Sequence, residues 1–142
     1  MTPPFEYLDH PADAYLRGIG KTVEEAFVEA ARGLFQLMVD LDRVSPTDRL
    51  EVSLREPTLE LLLMAWLGRL LAETDLSGLV LARFCVELAE EDGGVRLSGQ
   101  AWGEPLDPIR HGPRTEVKGV TFAGLAVEHE DGRWIAQCVV DV

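Results

Sequence analysis

Carboxylates gather at both ends of this chain. Asp9-His10-Pro11-Ala12-Asp13 stands near the start, and Val140-Asp141-Val142 closes the sequence with its own α-carboxylate. Carboxylate oxygens are hard donors that suit Ca²⁺ or Mg²⁺. Alone, Asp and Pro in a short loop need no more than a turn to explain them. If the fold brings Asp9, Asp13, Asp141 and Val142 together, they become a cation site built from remote ends. A second group lies in the segment 103–114, with three prolines and the pair Arg110 and Arg114. Two arginines can clamp a phosphate or carboxylate bidentately. With His111 and Lys118 they are the candidate partner contacts, and pairing with local acids is the alternative. No Gly-x-Ser-x-Gly, P-loop or dinucleotide fingerprint occurs, so no catalytic group is assigned.

These residues must be positioned by the elements around them. Phe5 to Leu8 and Ala14 to Ile19 read as strands, leaving the first acidic segment as a loop. Thr22-Val-Glu-Glu25 is a capping box. The helix it opens carries Ala26, Phe27, Ala30, Ala31, Leu34, Phe35 and Met38 on one stripe and ends near Val39. Leu50 to Leu54 alternates as a strand. Thr58 is the N-cap of a second helix, Leu59 to Ala72, which is apolar nearly all round and expected in the core. Leu79 to Ala89 and Val95 to Trp102 form a hairpin through Asp92-Gly93-Gly94. After the 103–114 loop, Glu116 to Glu128 and Arg133 to Asp141 are strands joined at Asp131-Gly132. The expected architecture is α+β, with two helices packed on an antiparallel-rich, mixed sheet of about seven strands.

The chain has 142 residues, the size of one domain (1–142). Its net charge is −12, from 25 acidic and 13 basic residues. That surface repels phosphate backbones, so direct, tight RNA or DNA binding by this domain alone is disfavoured. A basic protein or a divalent cation fits it better. No apolar run reaches spanning length and no signal pattern opens the chain, so no membrane and a cytoplasmic location are expected. Cys85 and Cys138 lie in strand-like runs without a Cys-x-x-Cys, and both are expected as buried thiols.

Several blocks in order carry a family resemblance. They are Asp9-His10-x-Ala12-Asp13, Lys21-Thr-x-Glu-Glu-Ala-Phe27, Ala31-x-Gly-Leu-Phe-x-Leu-Met38 and Leu62-Leu-x-x-Trp66-Leu67. Gly103-Glu-Pro-x-Asp-Pro-x-Arg110-His111, Thr115-Glu-Val-Lys118-x-Val-Thr121, Gly132-Arg-Trp134 and Val140-Asp141-Val142 follow. Over essentially its full length the chain resembles the archease family. The resemblance implies a non-enzymatic protein cofactor of an RtcB-type tRNA-splicing RNA ligase, promoting guanylylation and multiple turnover. It implies that RNA is reached only indirectly, through that partner, and that a divalent cation is bound, Ca²⁺ first, with Mg²⁺ or Mn²⁺ as the other candidates. Carried over by position, the ligands are Asp13, Asp141 and Val142, with Asp9 in support. A modulator or chaperone of a tRNA cytosine-5 methyltransferase is the alternative partner role, and a metal-dependent hydrolase is the second alternative. The chain departs from the family pattern at Pro11, at Ala14-Tyr15, at Ala65 and at Ala123, where the family often carries His.

Overall fold

In the computed structural model, which describes residues 3–10 and 13–142, the chain opens with the hairpin β1 (Phe5–His10) and β2 (Asp13–Gly20). The acidic segment expected as a loop is therefore mostly strand, with β1 running through His10 and β2 beginning at Asp13. Pro11, Ala12 and the side chains of Asp9 and His10 lie outside the described residues.

Helix α1 (Val23–Met38) starts where the capping box placed it. Thr22 Oγ1 accepts the Glu25 N–H at 3.1 Å, and the Glu25 carboxylate accepts the Lys21 N–H at 2.7 Å. Its apolar stripe is buried from Ala26 to Phe35. Glycines in β2 let the helix backbone sit directly on the strand: a Cβ on Gly18 would lie 2.2 Å from the Ala26 carbonyl oxygen.

Strand β3 (Asp48–Glu56) leads into α2 (Leu59–Ser77), capped by Thr58 Oγ1 on the Leu61 N–H at 3.2 Å. This helix runs past the expected end at Ala72. Asp75 and Ser77 suit turns, but neither breaks a helix. The stop comes at Gly78, whose left-handed backbone (φ 75°) lets its N–H close on Thr74 at 2.9 Å. Strands β4 (Leu79–Glu91) and β5 (Gly94–Pro105) form the expected hairpin, each longer than its alternating run. One helical turn, α3 (Pro108–His111), follows. Then come β6 (Gly119–Val120), β7 (Ala126–Glu130) and β8 (Arg133–Asp141).

The α+β class holds, with α1 and α2 as its main helices, but the expected single mixed sheet is two sheets with every pairing antiparallel. One has the order β1-β2-β8-β6, with β7 also paired to β8, and the other has the order β3-β5-β4. Helix α1 touches β2 and β8 on one side and β4 on the other, and α2 likewise reaches strands of both sheets. That placement explains why Leu62, Leu63, Trp66, Leu67, Leu70 and Leu71 are all buried. Trp66 donates its indole N–H to the Phe27 carbonyl at 3.1 Å, tying the two helices together.

The run Glu116 to Glu128 is not one strand: β6 and β7 are separated by residues 121–125. Cys138 is buried, and burial pushes its thiol up to about 12. Cys85, expected buried, is exposed, because it alternates with the inward-facing Phe84 and Val86. Among the described residues no helix is long and apolar enough to cross a membrane.

Candidate metal centre

The β2–β8 ladder sets the geometry of the chain ends. Its register runs from Gly20 opposite Trp134 to Asp13 opposite Asp141. Residues directly opposed in an antiparallel pair project from the same face, with Cβ atoms about 4.5–5.5 Å apart. Leu16, Gly18, Cys138 and Val140 form the face turned to α1 and the core. Alternation therefore puts Asp13 and Asp141 on the other face, with Tyr15 and Gln137. Strand β6 adds Gly119 opposite Asp141, and the Lys118 N–H donates to the Asp141 carbonyl at 2.7 Å. Val142 follows, half-buried against the core edge. Asp13, Asp141, Val142 and Lys118, remote in sequence, thus meet at one end of one sheet.

Like charges directly opposed across two strands repel. A hard divalent cation between them converts that repulsion into attraction, so the donor chemistry suits such an ion. Among the described residues no three His, Cys, Asp or Glu side chains converge on one point. Among the described residues, a cation here would draw on main-chain or carboxyl-terminal oxygens beside the two aspartates.

The second group of sequence candidates behaves differently. Glu104, at the end of β5, is buried and accepts the Ser45 N–H at 2.5 Å, a bond from His111 Nε2 at 3.0 Å, and a bond from Arg110. These bonds, the Ser45 N–H first, hold its carboxyl down at about 2. His111 is fully buried. Its Nδ1 accepts the Asp107 N–H at 2.9 Å, which leaves the ring proton on Nε2 to donate to Glu104. Asp107 Oδ1 caps the same turn through the Ile109 and Arg110 N–H groups. His111, expected as a partner contact, is thus an internal brace of its loop, and Arg110 is paired to a local acid. Arg114 ties the loop to the end of α1: its N–H donates to the Met38 carbonyl at 2.8 Å, and its guanidinium lies 3.9 Å from Asp40. A cation suits the carbonyl-rich end of a helix. Of the four expected contacts, only Lys118 is shown beside the carboxylate pair.

Glu104 makes the fold sensitive to acid in a defined way. Its carboxyl is depressed from an ordinary value of 4.5, so the stability it contributes is complete above 4.5. That contribution is lost as the pH falls toward about 2. Glu104→Gln is expected to lower the urea midpoint at pH 7 and to flatten the loss of stability between pH 4.5 and 2, measured against wild type. Equal acid slopes in both proteins would contradict this account.

Sequence reasoning missed the turn at 121–125. Tyr15 donates its hydroxyl to the Gly124 carbonyl at 3.1 Å, and Gln137 Nε2 donates to the Tyr15 oxygen at 2.8 Å. Gly124 is left-handed (φ 63°), and a Cβ there would meet the Tyr15 hydroxyl at 2.5 Å. The glycine inside an otherwise alternating run was the available signal.

Comparison with known proteins identifies the family and the fold. Residues 5–142 match the model of the archease protein family (MTH1598/TM1083). The chain is 41% identical over 139 residues to protein archease of Methanopyrus kandleri, covering 98% of this chain and 99% of that one. It is 42% identical to protein archease of Thermococcus gammatolerans, covering 97% and 98%. Among solved structures it is similar to Methanobacterium thermoautotrophicum protein 1598, with a TM-score of 0.88 and 33% identity over 98% of this chain and 99% of that one. A crystal structure from Thermotoga maritima, described as an archease and possible chaperone, shares the fold at a TM-score of 0.55 and 19% identity, covering 100% and 98%. With a family match from the first strand to the last residue, and relatives matched over nearly their whole length, the chain belongs to the archease family.

Proposed function

We propose that this protein is a cofactor of an RtcB-type tRNA-splicing RNA ligase and works through a divalent cation held at the paired chain ends. Asp13, Asp141 and the α-carboxylate of Val142 are the proposed ligands, with Asp9 in support and Ca²⁺ ahead of Mg²⁺ or Mn²⁺ as the ion. The observation that carries this reading is the register that sets Asp13 directly opposite Asp141. When bound, the ion supplies positive charge that helps place a nucleoside triphosphate in the ligase. The side chains do the rest. The two aspartates hold oxygen donors on one sheet face, and Lys118 stands beside them just before the edge strand β6. The surface charge of −12 steers the protein toward a basic face of the ligase.

The test uses purified ligase and this protein. Asp141→Ala, and separately a short extension after Val142, are each expected to return guanylylation and multiple-turnover ligation to the level of ligase alone. Far-ultraviolet circular dichroism should show both variants folded. Undiminished turnover in both would sink the reading.

A second reading, a chaperone or modulator of a tRNA methyltransferase, draws on the exposed apolar side chains Leu76, Ile109 and Phe122. On α2 itself Leu62, Leu63, Trp66, Leu67, Leu70 and Leu71 are buried, so that helix offers only Leu61 and Leu76 to a partner. The hydrolase alternative needs a general base beside the carboxylates. His111, one candidate, is locked against Glu104 instead.

A further inference from the structure

Strand alternation states where Phe122 belongs. Val120, on β6, turns inward: its Cγ2 lies 3.7 Å from where a Cβ on Gly68 of α2 would be, and it packs against the core. Phe122, two residues on, would enter the same core if the strand continued. It does not. Between the pairs Val120–Val140 and Ala126–Gln137, residues 121–125 stand opposite only Cys138 and Val139. The surplus loops out, and Phe122 is left 68% exposed.

That loop is held closely. The Thr121 N–H donates to the Val139 carbonyl at 2.9 Å, and the Val139 N–H donates to the Ala123 carbonyl at 2.9 Å. The Leu125 N–H closes the turn on the Phe122 carbonyl at 3.2 Å, while Tyr15 and Gln137 both donate to Gly124. The aromatic ring is thus displayed on a turn pinned at both ends. Its position is also defined. Thr121 is bonded to Val139, which is paired with Tyr15, which is paired with Leu8. The next row toward the strand ends is Gly119, Asp141 and Asp13. Rows on one face are two residues apart, about 7 Å. Leu8, 39% exposed, therefore stands one row from the carboxylate pair on its own sheet face, and the exposed Phe122 is carried by the residue next to Thr121 in that same row.

Bulges that redirect a side chain are common beside functional sites. Exposed, preorganised aromatics anchor protein interfaces because little conformational freedom is lost when they bind. We infer that Phe122 is a docking anchor that inserts into an apolar socket of a protein partner, and that the socket adjoins the cationic pocket that receives the carboxylate pair. Charge complementarity selects that occupant. Two aspartates beside the anchor, on a chain of net charge −12, demand a positive or metal-bearing cleft next to the apolar one. The inference rests on the activator reading and takes the RNA ligase as the partner.

Binding of wild type, Phe122→Ala, Phe122→Tyr and Leu76→Ala to an RtcB-type ligase from the same organism, followed by calorimetry in Ca²⁺, tests it. Phe122→Ala is expected to weaken binding by about tenfold or more, with Phe122→Tyr restoring it and Leu76→Ala retaining it. Thermal unfolding and Ca²⁺ binding of the free variant should match wild type, since the ring is exposed. Wild-type binding that Phe122→Ala leaves intact overturns the anchor and leaves the activator reading standing. An equal loss in Leu76→Ala also overturns it, because the effect is then general surface stickiness. A wild type that does not bind the ligase overturns the activator reading, and the anchor with it.

Discussion

Gly18→Ala is expected to destabilise the protein by about 3 kcal/mol, the upper range for overpacking a close contact. The added Cβ would lie 2.2 Å from the Ala26 oxygen, 2.4 Å from the Ala30 nitrogen and 2.8 Å from the Ala30 Cα. All three are backbone atoms of α1, so no rotamer change makes room. Either the helix lifts off the sheet or β2 shifts. Both movements disturb the ladder that opposes Asp13 to Asp141, so cation binding should weaken along with stability. Urea denaturation followed by circular dichroism reads the first effect. Gly119→Ala is the matched control on the same sheet: nothing lies within 4 Å of its Cβ position and its φ is not left-handed. A Gly18→Ala protein as stable as Gly119→Ala would show that α1 does not press on β2 as closely as described.

Calcium should stabilise the wild type and leave Asp141→Asn unmoved. A ligand that binds only the folded state contributes about 2.7 kcal/mol at a hundred times its Kd. The two proposed ligands, Asp13 and Asp141, are opposed only when the β2–β8 ladder is formed, so the unfolded chain lacks the proposed site. In chelator, Asp141→Asn removes one of two opposed charges and should cost no stability, since like charges across a strand pair repel. The pattern to look for is therefore an interaction: equal melting temperatures without the ion, and divergence as Ca²⁺ is added. A Ca²⁺-dependent rise of the same size in both proteins would place the cation elsewhere or nowhere specific. Thermal unfolding monitored over a Ca²⁺ titration reads this directly, without any partner enzyme.

The helices were legible because their signals are local. Thr22 and Thr58 cap the first turns at 3.1 and 3.2 Å, as their spacing to Glu25 and Leu61 implied. The stripe from Ala26 to Phe35 is buried as its period required. The turns at Gly93 and Gly132, both left-handed, were visible in Asp-Gly pairs. Errors fell where distant contacts decide. The acidic segment around Asp9 and Asp13 has turn composition, yet both its ends are drawn into strands by pairing. Glu116 to Glu128 alternates well enough for one strand, but Gly124 packing on Tyr15 diverts the chain. Cys85 was misjudged because hydrophobic type does not reveal which side of an edge strand faces the core. His111 was misjudged for the opposite reason. Its burial depends on Glu104 and on Asp107, which together satisfy both ring nitrogens of a polar side chain inside the protein.

Residue order alone settled the donor chemistry of the two chain ends, the α+β class, the caps and the apolar faces, because each depends on side-chain type or on neighbours within a turn or two. Whether Asp13 and Asp141 meet depends on which strands pair and in what register, and a shift of one residue would send either carboxylate to the opposite face. That choice is made by the burial of Leu16, Cys138 and Val140 against the core, close to each carboxylate in sequence but brought together only when the two ends of the chain pair in the folded protein.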